Sequence, residues 1–128
     1  MIYGIGTDIV EVARIEASIA QFGDDLAKRI LAESELASYL ASHIKARFLA
    51  KRFAAKEAFS KALGTGLRAP ATMQNIAVDH DDLGKPILVL AVELQAFLES
   101  KHISKTHISI SDEKNLAAAF VVLEASVG

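Results

Sequence analysis

The period of the apolar residues changes several times along this chain, and each change marks a boundary between predicted elements. Met1 to Val10 (MIYGIGTDIV) reads as a strand, with glycines at 4 and 6 where backbone or a ligand can approach closely. From Glu11 onward, Val12, Ile15, Ile19 and Phe22 recur at helical spacing until Gly23 stops the pattern. Asp24 and Asp25 can cap a following helix that carries Leu26, Ile30 and Leu31. Ser34 can cap a further turn with Leu36 and Leu40. Lys45 to Leu63 is the longest predicted helix, because alanine and long side chains fill it without a glycine or proline, and Gly64 is its stop. After Pro70 the period shortens. Ile76 and Val78, a turn from Asp81 to Pro86, and Ile87 to Ala91 predict a hairpin, and Glu93 to Lys101 one more helix. His107 to Ser111, a turn at Asp112 to Asn115, and Leu116 to Leu123 form a second hairpin. Strands and helices are grouped without regular βαβ alternation. The expected class is therefore α+β, with a mostly antiparallel sheet packed on the long central helix.

Composition narrows the picture. The 128 residues fit one domain, 1–128. Hydrophobic residues make up 52% and aromatic ones only 6%, so the core is expected to be aliphatic and alanine-lined, with closely packed elements. The absence of cysteine excludes disulfides, thiolate zinc sites and a cysteine nucleophile, leaving oxygen-ligand metals or none. The N-terminus opens directly on a strand pattern, without the features of a signal peptide, and no apolar run reaches the roughly 18 residues of a membrane span; a cytoplasmic protein is expected. A net charge of -2 offers no global field for nucleic acid or an anionic membrane. Locally, however, Lys45, Arg47, Lys51, Arg52, Lys56, Lys61 and Arg68 share a stretch with a single acid, Glu57, and that excess suits a small polyanion.

On an ideal helix Glu57, Lys61, Ser60, Phe53 and Ala54 share one side, and Phe48, Ala55, Phe59 and Ala62 the other. A helix apolar on both sides is central, so Glu57 is partly desolvated and needs a cation nearby. Lys61, one turn later, is one candidate. The other is Mg²⁺, which takes one or two carboxylates together with waters and phosphates; Asp8, at the end of the first strand, is the natural second ligand. By itself Asp8 could equally close a turn. Gly64-Thr65-Gly66 can be a helix stop or a phosphate cradle, Gly84-Lys85-Pro86 a hairpin turn, and His107, alternating with Ser109 and Ser111, a solvent-facing polar strip.

Taken together, GIGTDIVEVARI, RFAAKEAFSKALGTG, GKP and HISISDE resemble, in order and over essentially the whole chain, the short, single-domain 4′-phosphopantetheinyl transferases of the holo-acyl-carrier-protein synthase family. The resemblance implies that fold and Mg²⁺-dependent transfer of 4′-phosphopantetheine from coenzyme A to a serine of apo acyl carrier protein, in fatty acid biosynthesis. It implies that Asp8 and Glu57 hold the metal, that Lys61 holds the reacting phosphate, and that Glu57, directly or through water, takes the serine proton. Larger relatives carry a D-x-E pair, where this chain has Val10 two residues after Asp8. Arg52, Ser60, Lys61, Gly64, Pro86 and His107 match positions lining the coenzyme A site. The resemblance further implies a homotrimer with active sites between subunits. It implies an acidic carrier docked on the first helix at Arg14, with Lys28, Arg29 or Lys45 standing in for the arginines that relatives carry near Gln21 and Asp24. Two rivals are a coenzyme A or nucleotide-binding module without turnover, and a structural oligomer in which Asp8 and Glu57 merely pair with lysines.

Overall fold

The computed structural model describes residues 1–126. The chain runs through β1 (Ile2–Glu11), α1 (Val12–Phe22), α2 (Asp24–Ile30), a 3-10 turn at Glu33–Glu35, α3 (Leu36–Ala41) and the long α4 (Lys45–Leu63). A second 3-10 turn at Met73–Asn75 leads into β2 (Ile76–His80), β3 (Pro86–Leu90), α5 (Val92–Ser100), β4 (Ile103–Asp112) and β5 (Leu116–Ala125). All strand pairs are antiparallel, in a three-stranded sheet ordered β1-β5-β4 and a separate β2-β3 hairpin. The α+β class read from the sequence holds, with its strands divided between these two sheets.

The larger sheet lies on α4, and alternation along β1 explains how. Gly6 and Val10 are buried while Ile5, Thr7 and Ile9 are exposed, so Gly4, Gly6, Asp8 and Val10 form the face turned to the helix. A Cβ at Gly4 would collide with the carbonyl oxygen of Ala62, and one at Gly6 with that of Ala58. The strand therefore rests on helix backbone, the close approach that glycine in a strand predicts. Ala54, Ala55, Ala58 and Phe59 are fully buried, which makes α4 the centre of the core. Buried Ala117 and Ala119 on β5 keep the neighbouring strand equally close.

Two expected caps are not formed. Gly23, at φ 60, precedes α2, and Asp24 and Asp25 lie inside its first turn, where their charge still favours the helix dipole. Ser34 sits within a 3-10 turn, and Glu35 rather than Ser34 occupies the N-cap of α3, its side chain being used elsewhere. Among the described residues no helix is long and apolar enough to cross a membrane.

Because neither the Ala58 nor the Ala62 carbonyl can move without breaking α4, Gly6→Ala is expected to lower stability by about 3 kcal/mol or more. Thermal and urea unfolding of the variant measure this directly, and a change below about 1 kcal/mol would contradict the packing.

Candidate active site

Strand register and helix phase together bring three sequence-predicted residues to one place. Asp8 pairs across the sheet with Ala119 and faces α4, where Lys61 Nζ lies 3.1 Å from its Oδ1 and 3.0 Å from the Thr7 carbonyl oxygen. Asp8 is shielded, its side chain 17% exposed, whereas that of Lys61 is 53% exposed. The lysine thus reaches across to β1. Of the two acids beside it, the ion pair it forms is with Asp8, not an intrahelical pair with Glu57. Glu57 sits one turn earlier, and its carboxyl is held above the ordinary value, chiefly by burial and then by the charge of Asp8, with Lys61 partly offsetting both. A carboxylate made costly by burial and by a second acid nearby marks a site for positive charge. Among the described residues no third acid or histidine joins them. A hard cation there would complete its shell with water and ligand oxygens, and the oxygen-only donor set fits Mg²⁺.

The end of α4 frames this group. The buried Ser60 hydroxyl donates to the Glu57 carbonyl oxygen at 2.8 Å. Gly64, left-handed at φ 84, donates its N–H to the Ser60 carbonyl oxygen and stops the helix.

The remaining predicted residues lie elsewhere in the chain. Pro86 and His107 line a cleft of about 260 Å³ between β3 and β4, together with Lys85, Leu88, Ile108 and Phe120. His107 Nε2 is 2.8 Å from Glu124 Oε1. Asp8, Glu57 and Lys61 do not line this cleft. Arg52 precedes Lys61 by two and a half turns and so leaves α4 on the opposite side. There it reaches toward β2 in a cleft with Ser34, Ser38, Asp79 and His80. Arg14 is exposed on α1.

The basic excess along α4 is largely neutralised internally. Arg47 pairs with Asp112 at 2.6 Å, Lys51 lies 3.7 Å from the same carboxylate, and Lys45 Nζ caps the Leu40 and Ser42 carbonyls. Lys56 is fully buried against Glu35 at 2.6 Å, and Arg52 bonds the other oxygen of Glu35 at 3.1 Å. Burial pushes the pKa values of Arg52 and Lys56 down, while Glu35 pulls both up. Glu35 was not singled out by the sequence reading. Its signal was faint, an acid in the midst of Leu31, Ala32, Leu36 and Tyr39.

Comparison with known proteins agrees with this geometry. The 4′-phosphopantetheinyl transferase superfamily pattern matches residues 4–121, and the chain belongs to that superfamily. Within it the chain is similar at nearly full length to holo-[acyl-carrier-protein] synthases. The enzyme of Nitrosomonas europaea is 57% identical over 125 residues, covering 97% of this chain and 99% of the relative. The crystal structure of the Neisseria meningitidis synthase superposes with a TM-score of 0.94 at 48% identity, covering 97% of this chain and 99% of that one. The Bacillus anthracis synthase, solved in complex with CoA (3′,5′-ADP), gives a TM-score of 0.81 at 41% identity, covering 98% of this chain and 99% of that one.

A carboxyl raised in the folded state binds its proton more readily there than in the unfolded chain, so its destabilising effect is absent below the unfolded pKa and complete above the folded one. Glu57→Gln is therefore expected to raise Tm at about pH 8 and to leave it nearly unchanged at about pH 4. Differential scanning calorimetry at both pH values checks the sign.

Proposed function

We propose that this chain, acting as one domain over residues 1–128 in the cytoplasm, is a Mg²⁺-dependent transferase of fatty acid biosynthesis. It moves the 4′-phosphopantetheine of coenzyme A onto a serine hydroxyl of apo acyl carrier protein and releases adenosine 3′,5′-bisphosphate. The observation that carries this reading is the convergence of Asp8, Glu57 and Lys61 where β1 crosses α4. In the reaction the serine oxygen bonds to the phosphorus next to the pantetheine arm. The bond from that phosphorus to the bridging oxygen breaks, and the electron pair leaves with the nucleotide. Glu57, directly or through a water, accepts the serine proton. Lys61, half exposed and anchored at the Asp8 carboxylate, offers its ammonium to an oxygen of the reacting phosphate. Asp8 and Glu57 would hold Mg²⁺, which would supply positive charge against the phosphates. Positioning and electrostatics do most of the work, as in phosphoryl transfer generally.

Ser60 and Gly64 border the same end of α4, whereas Arg52, Pro86 and His107 lie around the β2-β3 hairpin. That division supports a homotrimer in which one protomer supplies the carboxylates and Lys61 and its neighbour the hairpin residues that complete the coenzyme A site. Exposed Ile5, Ile9, Leu116 and Phe120, side by side on the sheet face turned away from α4, support the same assembly, since an apolar patch of this kind calls for a partner. Arg14 on the exposed face of α1 meets the acidic carrier.

Incubation of apo acyl carrier protein with the protein, coenzyme A and Mg²⁺ is expected to add one phosphopantetheine to the carrier's mass, and a chelator to prevent it. Asp8→Ala should keep the fold by circular dichroism yet lose at least about a thousandfold in rate. Substantial activity in that variant would refute the two-carboxylate mechanism, while coenzyme A binding without transfer in the wild type would favour a binding module.

Arg14→Glu should raise the carrier KM about tenfold or more and leave the coenzyme A KM unchanged. Steady-state kinetics with each substrate varied in turn separates the two, and an equal loss in both would remove Arg14 from the docking surface.

A further inference from the structure

Glu35 is 3% exposed and accepts four hydrogen bonds. Oε1 takes Lys56 Nζ at 2.6 Å and the Ala32 N–H at 2.8 Å; Oε2 takes Arg52 Nε at 3.1 Å and the Val78 N–H at 3.0 Å. Lys56 Nζ also donates to the Ile30 and Met73 carbonyl oxygens, so all three of its protons are placed. Lys56 alone balances the charge of Glu35. Arg52 therefore brings a second positive charge to a largely desolvated cluster, offset beyond Glu35, among the described residues, only by Asp79 at the mouth of the cleft, which leaves room for a further anion there.

Arg52 is also the one member with donors to spare. Its Nε edge is tied to Glu35, and its guanidinium lies 3.7 Å over the Phe48 ring. Its Nη nitrogens make no hydrogen bond among the described residues, yet they are not sealed from solvent, since the Tyr39 hydroxyl is the buried side-chain polar atom left without a partner there. They border a cleft of about 220 Å³ lined by Ser34, Ser38, Asp79 and His80. Asp79, exposed on β2, is the other acid facing this cleft; it forms no ion pair with Arg52, but its charge helps to keep the guanidinium ionised.

We propose that Glu35 is a positioning residue: by holding the Nε edge of Arg52 it turns the forked Nη edge outward to grip a phosphate group of the coenzyme. A guanidinium locked on one edge and stacked on a ring presents its two remaining nitrogens in the geometry that phosphate oxygens accept bidentately. This rests on coenzyme A being the ligand, as proposed above, but not on the transfer step.

A double-mutant cycle tests it. Coenzyme A binding to the full-length protein is measured by calorimetry for the wild type, Arg52→Gln, Glu35→Gln and the double variant. Each single change is expected to weaken binding about tenfold, and the double variant to bind no worse than Arg52→Gln, because Glu35 acts through Arg52. Additive weakening, or no coenzyme A binding by the wild type, would overturn the proposal. Should Glu35→Gln fail to fold, Arg52→Lys keeps a cation beside Glu35 but lacks the fork; about fivefold weaker binding is expected, and unchanged affinity would overturn the assignment. Transfer followed by mass in the same samples judges the transferase reading separately, since binding without transfer would sink that reading and leave the role of Glu35 standing.

Discussion

Everything in the site depends on backbone lying against backbone where β1 crosses α4. Gly4 and Gly6 let the strand settle onto the Ala58 and Ala62 carbonyls, and Asp8, two residues further along the same face, comes within reach of Lys61. With side chains in place of those glycines, strand and helix would stand apart by the thickness of a methyl group, and the ion pair between Asp8 and Lys61 would be lost. The small residues of β1, β5 and α4 thus set the geometry of the candidate site although none carries a functional group.

The same helix handles charge in two ways. Toward β1 it leaves two carboxylates close together with a single half-exposed lysine, a local excess of negative charge open to solvent and ligands. Toward the β2-β3 hairpin it does the reverse, burying two cations against one carboxylate. The two sides of one helix thus carry opposite local excesses of charge. Neither arrangement is favourable to folding by itself, which is the usual mark of residues kept for chemistry.

The periodicity read from the sequence placed each α-helix and strand, because α4 is free of breakers and β1 and β5 are long, but it began β4 at His107 where the strand starts at Ile103 and gave no sign of the 3-10 turn at Met73–Asn75. It also made sense of Asp8, Glu57 and Lys61, since helix phase and strand alternation are local properties. What it missed was long-range. That Lys61 reaches Asp8 rather than Glu57 depends on the register of β1 against β5, and that Arg52 and Lys56 turn inward depends on Glu35, which lies in a segment with no helical or strand period of its own. The basic run along α4 looked like an open polyanion surface because its partners, Glu35 and Asp112, are remote in sequence. The caps assigned to Asp24 and Ser34 failed for a related reason: Gly23 already turned the chain ahead of α2, and Glu35, drawn inward to Arg52 and Lys56, stands at the N-cap of α3 in place of Ser34.

Strand order adds a temporal side to this design. In the sheet β5 is central, and β1 has no other strand beside it: Ile2 pairs with Glu124 and Glu11 with Leu116. β1 therefore waits for β5, which follows it only after all the other elements, and closing so long a loop is a late event in folding. Until then Asp8 has no fixed position against α4. A chain in which β5 has not yet docked cannot assemble the carboxylate pair, so the site forms only after β1 and β5 have met.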